Sequence, residues 1–169
     1  MNKFNQIIKR IFDFLVSLLG IVILSPVFII VSIAIKIDSK GSILFLQKRV
    51  GKDGREFNIY KFRTMVTDAE KLGKQITIGN DSRITKVGAF LRKFKIDELP
   101  QLFNVLLGDM SLVGPRPEVP KYVALYNDEQ KKVLSIRPGI TDMASLRYKD
   151  ENDILGKVDN PEEYYINVI

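Results

Sequence analysis

The sequence predicts a mixed α/β protein of the α+β kind. An N-terminal membrane helix-break-helix, residues 1–40, packs on a small compact cytosolic domain, residues 41–169, built from a β-hairpin and several short amphipathic helices. Three observations predict it. Residues 14–35 contain no charged side chain. Two alternating strand patterns then flank a Gly-rich turn. Beyond them, short apolar repeats at helical spacing are separated by Gly and Pro turns.

The apolar stretch covers about 22 positions, roughly 33 Å as a helix, enough to cross the hydrocarbon core of a bilayer. It is apolar on every side, which a core helix of a soluble domain is not. No small-x-small cleavage site follows it, so a signal peptide is not expected. Lys3, Lys9 and Arg10 precede it, and Lys36, Lys40, Lys48 and Arg49 follow. Basic flanks favour the cytoplasm at both ends, which a straight span cannot satisfy. A helix that enters, breaks at Ser25-Pro26 and leaves by the same face resolves the conflict. Proline removes a backbone donor there, and Ser25 is placed to help satisfy the freed groups. An ordinary span with a proline kink is the alternative.

From Gly41 the pattern turns to strands. Ile43-Leu44-Phe45-Leu46-Gln47 and Phe57-Asn58-Ile59-Tyr60-Lys61-Phe62-Arg63 flank Gly51-Lys52-Asp53-Gly54, a hairpin signal. Alternation puts Ile59, Lys61 and Arg63 on one face of the second strand. Residues 67–72 read as a short helix. Asp81 or Ser82 is the expected cap of a further helix carrying Ile84, Val87, Leu91 and the basic Arg92. Tyr122, Leu125 and Tyr126 suggest another helix. Arg137-Pro138-Gly139-Ile140-Thr141 is a turn into a strand bearing Arg147.

The chemistry centres on Lys95-Ile96-Asp97-Glu98-Leu99-Pro100-Gln101-Leu102-Phe103-Asn104. Leu99, Leu102, Phe103 and Leu106 recur as one face of a helix stopped at Gly108, and Pro100 requires that helix to begin close by. Asp97 and Glu98 therefore stand at a helix start, where unpaired N–H groups favour carboxylates and attract phosphate. The plainer assignment for Asp97 is an N-cap. Further on, Gly114-Pro115-Arg116-Pro117 holds a guanidinium on a rigid turn, a form suited to phosphate oxygens.

Composition narrows the options. The net charge is +6 and the chain has neither Cys nor His. Thiolate nucleophiles are excluded and a zinc site is not expected, so acid–base or nucleophilic work falls to carboxylates, Lys, Tyr or hydroxyls. A metal would be a hard ion such as magnesium on Asp or Glu. The basic residues lack the aromatic interleaving or groove-reading helix of a nucleic-acid module. Arginines and a carboxylate-held metal are the parts that stabilise phosphoryl transfer, and a carboxylate can itself attack phosphorus.

The run from Lys95 to Pro117, with Ile59-Tyr60-Lys61-Phe62-Arg63-Thr64-Met65 before it and Arg137-Pro138-Gly139-Ile140-Thr141 after it, resembles the bacterial sugar transferase family. These are monotopic phosphoglycosyl transferases. The likeness also takes in Arg10-Ile11-Phe12-Asp13 and Ser25-Pro26, and so runs through the whole chain. It implies an enzyme of the bacterial inner membrane with its catalytic domain on the cytoplasmic face. The donor would be a UDP-sugar, the acceptor polyprenol (undecaprenyl) phosphate, and UMP a product; glycan assembly would begin there. It implies Asp97 as nucleophile, Glu98 as the acid tied to Mg²⁺, and Lys61, Arg63, Arg92, Arg116 and Arg137 as contacts to phosphate, with Arg147 toward the nucleotide. It also implies the re-entrant membrane segment.

Two departures stand out. Asp142-Met143-Ala144-Ser145-Leu146 replaces a Gly- and Trp-containing run common in the family, so sugar identity does not carry over. Members usually continue past the Tyr164-Tyr165 region, so a shortened member or a missing terminal segment is expected. The competing readings are a membrane-bound, metal-dependent glycosyltransferase without a covalent intermediate, and a basic membrane-anchored adaptor.

Overall fold

The computed structural model describes residues 3–67, 69, 81–142 and 164. It begins with one helix, α1 (Lys3–Asp38), of 36 residues, about 54 Å if straight. The helix is continuous through Ser25 and Pro26, where the sequence predicted a break. Pro26 has no N–H to offer Val22, and the Ser25 hydroxyl donates to that carbonyl at 2.8 Å. Ser25 thus supplies the bond its neighbour cannot make.

One side of α1 lies against the domain. Asp13, Ser17, Val31 and Ile35 are buried, with Gly20, Leu24, Val27 and Phe28 half-buried between them. The other side exposes Ile8, Leu15, Leu19, Ile23, Ile30, Ile33 and Ile37. Such an outward apolar face suits lipid rather than water.

Both ends of α1 are bonded to the same body. Near its start, Arg10 donates to the carbonyls of Val105 (2.5 Å) and Leu106 (2.9 Å). Asp13 accepts from Lys9 at 3.1 Å and from the Ser111 hydroxyl at 2.8 Å. At its end, Asp38 accepts the Val87 N–H at 3.1 Å. Arg63 donates to the carbonyls of Lys40 (2.7 Å) and Ser39 (2.8 Å).

Strands β1 (Leu44–Val50) and β2 (Glu56–Phe62) form the expected antiparallel hairpin, in register from Leu44↔Phe62 to Val50↔Glu56. Asp53 (φ 57°) and Gly54 (φ 74°) make its left-handed turn. β2 is covered on both faces. Ile59 packs with Val105 and Met110, while Phe62 packs with Val31, Ile35 and Leu91.

Helix α2 (Lys86–Lys93) is capped not by Asp81 or Ser82 but by Thr85, whose hydroxyl accepts the Gly88 N–H at 3.0 Å. Asp81 is engaged instead by the Arg83 guanidinium at 2.6 Å, and Ile84 bridges to Met65. The helix can start only after both commitments. Gly88 lets it approach closely, since a Cβ there would lie 2.0 Å from the Thr64 carbonyl oxygen. Of the short helix expected over residues 67–72, only Thr67 and Ala69 are described.

A short 3-10 turn (Ile96–Glu98) leads into α3 (Gln101–Leu107), which ends at Gly108 (φ 100°). The inward face of α3 differs from the expected one. Gln101, Asn104 and Val105 are buried, whereas Leu102 and Leu106 are half-buried and Phe103 is exposed. The helix lies between β2 and α1, so its apolar repeat turns toward α1. There Phe103 meets Phe28 at 5.8 Å between ring centroids, and Leu102 reaches Gly20.

β3 (Ser111–Val113) pairs in parallel with β4 (Gly139–Thr141). The backbones meet at Gly114 and Gly139: a Cβ on Gly139 would sit 2.1 Å from the Gly114 nitrogen. The helix expected around Tyr122 is the single turn α4 (Pro120–Val123), with Tyr122 buried.

Candidate active site

The site is built where α2 ends and α3 begins. Lys95 takes a left-handed backbone (φ 57°), unusual for a side chain with a Cβ. That reversal ends the basic helix and turns Ile96–Glu98 back toward β2. Asp97 is then buried and Glu98 half-buried. Lys61, projecting from β2, donates its Nζ to Glu98 Oε1 at 2.8 Å.

Asp97 does not cap a helix. α3 has no side-chain cap bond, and Asp97 Oδ1 is buried without a hydrogen-bond partner among the described residues. A buried, unbonded carboxylate oxygen is costly and seldom kept without a use. Burial pushes the Asp97 carboxyl above its ordinary range and adjacent Glu98 adds to the rise, against the opposing charges of Lys61, Arg92 and Lys95.

The neighbouring acid is tuned the other way. Burial would raise Glu98, but Lys61, by charge and by hydrogen bond, with Arg116 and Lys95, outweighs it and holds the carboxyl below its usual range. Two adjacent acids are thereby driven apart, an arrangement that gives each a separate task.

Of the residues picked out from sequence, Lys61, Arg92 and Arg116 gather around this pair. Arg92 is half-buried, with its Nε on the Thr64 hydroxyl at 2.9 Å, and its charge reaches Asp97. Arg116 acts on Glu98 from the Pro-Arg-Pro turn, whose backbone N–H is held by Asp142 at 2.8 Å. Arg63 and Arg137 stand elsewhere. Arg63 is buried against the end of α1. Arg137 donates to the Gly108 carbonyl at 2.9 Å, across the length of α3 from Asp97, roughly 10 Å or more. Arg147 lies outside the described residues.

Three participants were not singled out from sequence. Lys95 places a third cation near both acids, and Thr64 fixes Arg92. Asn104 is buried with its amide bonded to the backbone of β2. Lys95 was visible beside Asp97. The other two act through contacts between distant segments, which carry no local signal.

The donor set suits a hard divalent ion of one kind. Among the described residues no cluster of three or more potential metal ligands occurs, so those residues offer no cage. Magnesium commonly takes one or two carboxylates and completes its shell with phosphate oxygens and water. Glu98, with Asp97 beside it, meets that need.

The profile of the bacterial sugar transferase family matches residues 4–168. A UDP-N-acetylgalactosamine-undecaprenyl-phosphate N-acetylgalactosaminephosphotransferase of Aeromonas hydrophila is 42% identical over 165 residues, covering 94% of this chain and 39% of the relative. A UDP-glucose:undecaprenyl-phosphate glucose-1-phosphate transferase of Klebsiella pneumoniae is 39% identical over 173 residues, covering 97% and 36%. An exopolysaccharide production protein of Rhizobium leguminosarum is 43% identical over 150 residues, covering 85% and 75%. The chain spans about two fifths of the length of the first two.

Proposed function

The chain belongs to the bacterial sugar transferase family, and on that premise we propose that it transfers a sugar-1-phosphate from a UDP-sugar to undecaprenyl phosphate, releasing UMP, through a covalent phospho-sugar intermediate on Asp97. The observation that carries this reading is the buried, unbonded Oδ1 of Asp97 beside the charges of Lys61, Arg92 and Lys95, with Arg116 acting on neighbouring Glu98. Relatives named for this reaction, with UDP-sugars and undecaprenyl phosphate in their names, support it.

In the first step an Asp97 oxygen attacks the sugar-linked phosphorus. The bond from that phosphorus to the bridging oxygen breaks, and UMP leaves with the electron pair. In the second, a phosphate oxygen of the lipid attacks the same phosphorus, the acyl-phosphate bond breaks, and the Asp97 carboxylate is regenerated. Desolvation keeps Asp97 basic, and its free oxygen needs no partner displaced before attack. Lys61, Arg92 and Arg116 meet the charge that builds on phosphoryl oxygens, from fixed positions in a partly dry site. Glu98 would hold magnesium, which when bound neutralises the diphosphate. Lys61 keeps that carboxyl ionised. Arg63 and Arg137 hold the scaffold at the ends of α1 and α3.

The membrane arrangement is part of the proposal. α1 dips into the inner membrane with both of its ends on the cytoplasmic face, so the site stands at the depth of a lipid phosphate. Bonds from both ends of α1 to one domain support this, as does its outward apolar face. On α2, which leads into the site, Phe90 is exposed beside Lys86 and Lys93, with Phe94 just beyond. That mixture suits the headgroup boundary.

The direct test supplies a panel of UDP-sugars with undecaprenyl phosphate and Mg²⁺ and measures UMP. Catalytic release that requires both lipid and donor is expected with at least one sugar, donor alone yielding no more than one UMP per protein. Release of UDP instead of UMP would overturn the reaction type.

A further inference from the structure

Asn104 is completely buried in the middle of α3, a costly place for a primary amide unless each of its groups is bonded. Its Oδ1 accepts the Tyr60 N–H at 3.0 Å, and its Nδ2 donates to the Asn58 carbonyl at 2.8 Å. Those backbone groups lie on the edge of β2 away from β1, which has no strand beside it among the described residues. One side chain therefore plays the part of a neighbouring strand, offering a donor and an acceptor at strand spacing.

The position of this bond is informative. Tyr60 is followed by Lys61, whose Nζ meets Glu98 at 2.8 Å, and Glu98 lies just before α3, the helix that carries Asn104. The contacts close a ring from Glu98 through α3 to Asn104, across to Tyr60, along to Lys61 and back to Glu98. Apolar packing of Ile59 on Val105 and Met110 backs the ring but is tolerant of sliding. A paired donor and acceptor is not: a shift of one residue along β2 would break both bonds and turn Lys61 to the other face.

We propose that Asn104 is a positioning residue, whose amide fixes the register of β2 on α3 so that Lys61 stays seated on Glu98. The inference rests on the function proposed above for its consequence in catalysis, but its test needs no turnover. Full-length protein in detergent micelles is treated with an amine-reactive reagent at fixed pH, and labelling of Lys61 is followed by mass spectrometry. In the native chain Lys61, paired with Glu98 at 2.8 Å, labels slowly. In Asn104→Ala and Asn104→Asp it labels several-fold faster as the pair opens. Val105→Ala, which weakens the same interface by loss of packing, lowers Tm without changing that rate.

An Asn104 variant that folds and labels at Lys61 like the native chain would overturn the proposal. So would equal rises in labelling in Asn104→Ala and Val105→Ala. Failure of both Asn104 variants to fold while Val105→Ala folds would assign the amide to stability alone and reject a positioning role. Lack of UMP release by the native chain would count against the reaction and leave the labelling of Lys61 to decide this point separately.

Discussion

At the scale of single residues, the proposed chemistry depends on Asp97 and Glu98 having opposite environments. Asp97 must be ionised to attack, and burial raises its pKa from an ordinary 3.8. Activity should therefore fall as the medium is acidified, with an inflection above that of an ordinary aspartate; a rate-against-pH profile at constant Mg²⁺ measures it. Lys61→Met removes the cation that holds Glu98 down. It should lower turnover by about 10²- to 10³-fold, the usual effect of losing one fixed charge stabiliser, and an unchanged rate would remove Lys61 from the site. The acid pair was legible in the sequence, because adjacent carboxylates at a helix start are a local pattern. The arginines were legible only as a set. Which of them face the acids depends on where the chain turns, and Arg63, in the same strand pattern as Lys61, is taken up by the carbonyls that end α1.

Elements were read from the same kinds of signal with uneven success. The hairpin was readable because alternation and turn chemistry agree. The inner face of α3 was not, because the helix buries an amide toward the strand and turns its leucines and phenylalanine to α1. Hydrophobic periodicity finds the apolar face and cannot say which neighbour it meets. Two predictions belong at this scale. Asp81, held at about 2 by Arg83 against burial, favours the folded state above its unfolded value of about 3.9. That contribution is lost as the pH falls through about 2, and Arg83→Gln should flatten the acid side of a Tm-against-pH curve. Gly88→Ala drives a Cβ to 2.0 Å from the Thr64 carbonyl oxygen. It should cost about 1–3 kcal/mol in denaturant unfolding, with loss of activity through displaced Arg92. Stability equal to the native chain would mean that α2 can move off Thr64 freely.

For the whole molecule, one apolar helix and one basic domain are joined at two places, at Arg10 and Asp13 and again at Asp38 to Lys40. The long apolar segment was plain from sequence. Which residues fasten its two ends to the domain was not, since the partners lie up to a hundred residues away. Tags at the two termini of α1 should be equally protected from reagents outside intact cells; opposite exposure would exclude the re-entrant arrangement. The central claim is that Asp97 carries the phospho-sugar. Donor labelled with ³²P at the phosphate next to the sugar, mixed with protein and Mg²⁺ without lipid acceptor, should label the protein, and undecaprenyl phosphate should discharge the label into lipid. Asp97→Asn should take up none while Glu98→Gln keeps its fold. Label on Asp97→Asn, or turnover by the native chain with no label passing through the protein, would contradict the account.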